Sequence, residues 1–178
     1  DVIRKGTEGE NMISELQSST NNFIIKKGQS KFTAANNHKA YSNQFMNDPS
    51  VASTKEVLLK AGIDLSGGSG GVISWNPNGS ILATLNGGTI SEETDLAHEM
   101  FHALDANRGL LDKRSYNGLE RSEWQAVYRE NILCGQLNRP LRTYYITTKD
   151  PSGNYVGGDG PSMLAGKNIP ILPYWYKK

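Results

Sequence analysis

The sequence predicts an α+β fold: a small sheet lies against one helix, and a second long helix follows. Three observations predict it. Short β-rich runs, "NNFIIKKG" near the start and "VISW" with "SILATL" in the middle, are bounded by turn residues. Two longer segments, about 91–106 and 119–137, carry helical periodicity and helix-end signals. Two of the three histidines, His98 and His102, stand four residues apart in the first of those segments. On a helix that spacing puts both imidazoles on one face, one turn apart.

A chain of 178 residues, 37% hydrophobic and 21% charged, suits one domain over 1–178 and can bury a core without staples. Residues 1–50 are polar, rich in Ser, Asn, Gln and Lys, and read as part of that domain or as an N-terminal arm. The single cysteine, Cys134, excludes an internal disulfide framework and favours a reducing compartment. A net charge of +1 advertises neither nucleic acid nor membrane as a partner. No apolar run approaches the roughly 18 residues that would cross a bilayer. The start, "DVIRKGTEGE", has no apolar signal core and no initiator Met, so a trimmed chain or the end of a longer protein is expected. A monomer is expected.

Taken in order, "MISELQSS" predicts a helical turn or two, and "NNFIIKKG" a brief strand closed by Gly28. "VASTKEVLLKAGI" predicts a helix with Val51, Val57, Leu58 and Ala61 on one face and a stop at Gly62. "DLSGGSGG" is a loop. "VISW", "NPNG" and "SILATL" predict a β-hairpin within 71–87. Thr89 and Glu92 predict a capping box for the next helix, Glu92, Glu93 and Asp95 favour its dipole, and Gly109 ends it. "LERSEWQAVYRENILCGQL" predicts the second helix, ending near Gly135 or Asn138. "LRTYYITT" predicts a strand. "KDPSGNYVGGDGPSMLAG" reads as a Gly-rich surface loop, and the proline-punctuated "IPILPYWYKK" as an extended tail.

The histidine helix reads H-E-x-x-H, His98 to His102, with Glu99 between. His98 and His102 can direct two nitrogens at one zinc ion. Glu99 lies about 100° round the helix from His98, too far to be an ideal ligand and well placed to hold a water on the same metal. Zinc acidifies that water, and the Glu takes its proton and delivers it to a leaving amine. The plain alternative is two histidines on an ordinary amphipathic helix with Met100, Phe101, Ala103 and Leu104 buried. Such a motif, capped at both ends and preceded by β-structure, favours the zincin-like reading.

A catalytic zinc takes a third protein ligand and keeps a position open. His38 is far upstream, so a carboxylate is expected: Asp105, Asp112, Glu120, Glu123 or Glu130. The metzincin pattern is disfavoured, because it needs Gly at Asp105 and His near Arg108. Asp105, on the same helix, suits orientation of a ligand histidine better than metal binding. Glu123 and Glu130 are seven apart on one face of the second helix; Glu123 is favoured because it opens "EWQA", and Glu130 stays open. "LRTYY" then offers Arg142, Tyr144 and Tyr145 as donors for an oxyanion, against the plain reading of a tyrosine-rich strand.

"HEMFHALD", "ERSEWQAVYREN" and "PLRTYY" together resemble the NleD-like type III secretion effector metalloproteases of enteric and plant pathogens, over roughly residues 70–145. Arg142 and Tyr145, spaced R-x-x-Y, are also similar to the Arg/Tyr pair of clostridial neurotoxin light chains, which favours them as catalytic helpers over Tyr144. The resemblance implies a zinc endopeptidase with Glu99 as base, injected into the host cell cytoplasm. It would cleave stress-activated MAP kinases of the JNK type in the activation loop. The alternatives are a polymorphic-toxin protease acting on competitor bacteria and a non-catalytic metal-binding module.

Overall fold

The computed structural model describes residues 2–81 and 89–176. A 3-10 turn at Ile3–Lys5 leads into α1 (Thr7–Ser18). The strands β1 (Phe23–Lys27) and β2 (Lys31–Ala34) follow, then α2 (Asn37–Ala40), α3 (Ser42–Asn47) and α4 (Ala52–Lys60). Next come β3 (Gly71–Trp75), β4 (Ser80–Ile81) and β5 (Thr89–Ile90), then α5 (Glu92–Asn107), the short β6 (Ser115–Tyr116) and β7 (Leu119–Glu120), and α6 (Arg121–Gln136). The chain ends in β8 (Tyr144–Lys149), β9 (Tyr155–Ser162), β10 (Leu164–Gly166) and β11 (Ile169–Pro170). The protein is therefore a mixed α+β fold of small sheets and helices.

α1 is longer than the predicted turn or two. Gly9, Met12 and Leu16 fall on one buried face. Met12 and Leu16 pack with Ile3, Ile73, Phe101, Leu104 and Leu133 in the main core. Helices in proteins are held chiefly by such a stripe rather than by composition, which is why a polar segment forms three turns. At its ends Glu15 pairs with Arg108 and Glu8 with Arg129.

The main sheet has the order β1-β3-β2, with β1 parallel and β2 antiparallel to the central β3. This corrects the predicted hairpin: β3 has both edges taken, and β4 pairs with β5 instead. Residues 82–87 of that prediction lie outside the described residues. "SGG" before β3 is a packing device as well as a loop. A Cβ on Gly70 would stand 2.1 Å from the Asn22 carbonyl oxygen, and one on Gly71 2.3 Å from that of Thr33. The bare backbone lets β3 slide between its neighbours.

α5 occupies the predicted position, but its cap differs. Ser91, not Thr89, is the N-cap, accepting from the Thr94 amide, while Thr89 belongs to β5. At the other end Leu110 N–H bonds to Asp105 O and Gly109 N–H to Ala106 O, the Schellman arrangement. Gly109 takes φ +69° there. α6 ends in the same way, with Asn138 at φ +52° and Arg139 N–H on Cys134 O. In α4, Leu58 is buried while Val57 is 65% exposed, so the predicted four-residue face is not a core face.

The Gly-rich stretch after residue 149 is not simply a loop. Gly157, Gly158 and Gly160 lie in β9, antiparallel to β8. The Tyr144 ring lies so close to Gly158 that a Cβ there would meet it at 2.4 Å; a strand edge with exposed amides needs a partner, and a bare backbone can approach it. Among the described residues no helix is long and apolar enough to cross a membrane.

Candidate metal centre

α5 is buried on almost every side: Thr94, Asp95 and all of Ala97 to Ala106 are inside. Its polar residues therefore face other elements rather than water. His98, Glu99 and His102 are each 7–8% exposed and line a cavity of about 220 Å³ together with Lys31, Phe32, Tyr41, Glu120, Glu123 and Tyr145.

The two Nε2 atoms of His98 and His102 are 3.2 Å apart. Glu123 Oε2, from the first turn of α6, stands 3.3 Å from the first and 3.2 Å from the second. Three donors on a tetrahedral ion at 2.0–2.1 Å would be separated by about 3.3–3.4 Å. The structure thus holds two nitrogens and a carboxylate oxygen at the spacing of a bound cation, and His98, His102 and Glu123 are a group that could hold a metal ion. Without a cation, a proton must take its place among these three atoms, since two imidazole lone pairs and a carboxylate oxygen repel one another at 3.2–3.3 Å. The residues fit the group.

Glu130 behaves differently from Glu123. It is completely buried, one layer behind, with Oε2 2.7 Å from His98 Nδ1. An Nδ1–H donated to Glu130 leaves the Nε2 lone pair of His98 aimed at the centre. The other Glu130 oxygen lies 3.5 Å from Arg142 Nε. Burial opposes charge on Glu130, but Arg142 and His98 hold its carboxyl below the usual range. For His98, burial works against protonation and the two carboxylates outweigh it, so its pKa rises to about 10. Burial likewise opposes charge on Glu123, and His102 and His98 overcome it, keeping its carboxyl strongly acidic.

Tyr145, on β8, donates its hydroxyl to Glu123 Oε2 at 2.9 Å. Burial, and then the charge of Glu123, push its pKa upward, so the phenol keeps its proton. The strand is pinned by Asn131 of α6, whose amide accepts from Arg142 N–H at 2.7 Å and donates to Arg142 O at 3.0 Å. The Arg142 guanidinium lies 5.4 Å from the Tyr145 ring centroid. Arg142 therefore sits behind Tyr145, against Glu130, and is not part of the cavity wall. Tyr144 is partly exposed on the other side of the strand.

The remaining candidates go elsewhere. Asp105 accepts from the Tyr176 hydroxyl, and Glu130 rather than Asp105 is the carboxylate at His98 Nδ1. Asp112 pairs with Arg114 and Arg121. Glu120 lines the cavity, where burial and the charge of Glu123 raise its pKa. His38 packs near Phe45. Sequence reasoning missed Asn131 altogether, and its one signal was adjacency to Glu130 on a buried helix face.

Chemically, the arrangement offers a cation site, a carboxylate beside it, and a protonated phenol on the cavity wall. The family model of Peptidase_M91, described as effector protein, matches residues 1–145. No curated protein and no solved structure shows a significant match.

Proposed function

The chain belongs to the Peptidase_M91 family of NleD-like effector proteins, and on that premise we propose that it is a zinc-dependent endopeptidase of zincin-like fold. The observation that carries this reading is the triangle of His98 Nε2, His102 Nε2 and Glu123 Oε2 with sides of 3.2–3.3 Å, on the wall of a cavity that Glu99 and Tyr145 share.

His98, His102 and Glu123 would hold the ion, and a two-nitrogen, one-carboxylate set suits zinc. Bound zinc supplies a Lewis acid that acidifies a water and polarises the scissile carbonyl. Glu99 takes the proton from the attacking water and returns it to the leaving amine. The Tyr145 phenol turns from Glu123 to donate to the oxygen on which negative charge grows, and Arg142 adds a positive charge behind it. Glu130 fixes the His98 tautomer.

The substrate is a protein. β2 is an edge of the main sheet, and its residues Lys31 and Phe32 line the cavity. An extended segment can add to that edge by backbone hydrogen bonds. A kinase activation loop is such a segment. Together with the family likeness, this supports a host stress-activated MAP kinase of the JNK type as target, reached by type III secretion into the host cytoplasm.

Terminal-peptide mass spectrometry tests the reading. Zinc-loaded protein and its Glu99→Ala variant are each added to mammalian lysate. New N-termini in MAP kinase activation loops, absent with a variant that still holds zinc, are expected. Equal cleavage by both proteins would remove Glu99 as base, and Glu99-dependent ends that appear only when the same pair is added to bacterial lysate would replace the target.

A further inference from the structure

Resting on the zinc-site reading, we infer that the C-terminal tail is a positioning element of the metal centre, with Tyr176 tying together the two helices that carry the ligands. The ligands come from separate helices: His98 and His102 from α5, Glu123 from α6. Their 3.2–3.3 Å spacing depends on how those helices are held.

The Tyr176 hydroxyl donates to Asp105 Oδ1 and accepts from Arg129 Nε. Asp105 follows His102 by three residues on α5. Arg129 precedes Glu130 on α6, and its Nη1 also pairs with Glu8 of α1. All three members are inside: Asp105 is 0%, Arg129 5% and Tyr176 6% exposed. A phenol can donate and accept at once, so it bridges an anion on one helix and a cation on the other.

A second point of attachment lies beside it. The Arg121 guanidinium sits 4.6 Å from the Trp175 ring centroid, and Arg121 is two residues before Glu123. Trp175 packs edge-on against Tyr116 at 4.8 Å. The tail therefore grips α6 on both sides of the Glu123 turn and α5 one turn beyond His102. Asp105 Oδ2 and Arg129 Nη2 are buried without a hydrogen-bond partner among the described residues, so the Tyr176 hydroxyl is the hydrogen-bonded connection between these two side chains. The tail also lies outside residues 1–145, the part matched by the family; this chain's metal geometry depends on a residue beyond the matched part.

The test compares wild type with Tyr176→Phe, which keeps the ring and removes the bridge. Zinc affinity is read by chelator competition, and coordination geometry by the visible spectrum of the cobalt-loaded protein. The expected result is a folded variant with zinc affinity weakened about tenfold, the scale on which outer partners of ligands act, and an altered cobalt spectrum. Affinity within twofold and an unchanged spectrum would overturn the inference. Linkage gives a second measurement that needs no variant: what the tail does for the metal, the metal must do for the tail. Hydrogen exchange at Trp175 and Tyr176 of the wild type should slow on zinc loading, and unchanged exchange would count against the tail even if Tyr176→Phe failed to fold. Wild type that binds neither zinc nor cobalt would instead sink the metal reading itself, and the inference with it.

Discussion

Glu123 and Glu130 stand two turns apart on one helix, and the structure treats them oppositely. The Glu123 side chain is one-quarter exposed at the cavity, touching both Nε2 atoms. Glu130 is wholly enclosed between His98 Nδ1 and Arg142. The difference is depth: α6 crosses α5 so that its first turn reaches the cavity and its third lies behind the histidines. On the proposed reading one helix face provides both a ligand and the support for a ligand, and the two carboxylates should fail in different ways when removed.

The front layer should show the largest effects on turnover. Tyr145→Phe is expected to lower kcat by about 10²-fold, the scale of a lost oxyanion donor, with KM and zinc content little changed. Tyr144→Phe, on the other side of the strand, should stay within twofold. Steady-state kinetics on one peptide substrate compares them, and an equal loss from both would break the assignment. The rear layer should act through the metal. Glu130→Gln is expected to weaken zinc binding by 10–100-fold, measured by chelator competition, with kcat largely restored at saturating zinc. A kcat loss that excess zinc does not repair would put Glu130 in the front layer.

The smallest effect is on stability. His98 in the metal-free protein is raised from 6.5 to about 10 by its two carboxylates, against burial. A raised folded-state pKa contributes stability that is fully present below about pH 6.5 and is lost as pH rises through about 10. Metal-free protein should therefore show a falling Tm between pH 7 and 10, with a shallower fall in Glu130→Gln. Thermal melts across that range check it; a Tm that rises with pH would reverse the sign and contradict the description of His98.

The H-E-x-x-H helix is legible because acidic first-turn residues, periodicity, motif and the Gly109 stop agree, although the N-cap is Ser91 rather than Thr89. "EWQA" favours Glu123, but sequence does not separate it from Glu130, since both share a face and only tertiary crossing sets their depth. α1 exceeds the turn or two its sequence suggests because its three buried positions are spread through polar residues. The partners of β3 are not legible because turn residues favour a neighbouring strand, and its central position depends on Gly70 and Gly71 meeting backbone from distant segments. Asn131 and Tyr176 carry no motif; their importance lies in what they bridge.

The most direct measurement is the zinc content of purified Glu123→Ala and Glu130→Ala proteins after dialysis against the same weak chelator, beside wild type. The expected result is one zinc per wild-type chain, none retained by Glu123→Ala, and partial retention by Glu130→Ala. Full zinc in Glu123→Ala with loss in Glu130→Ala would contradict the ligand set and exchange the roles of the two carboxylates.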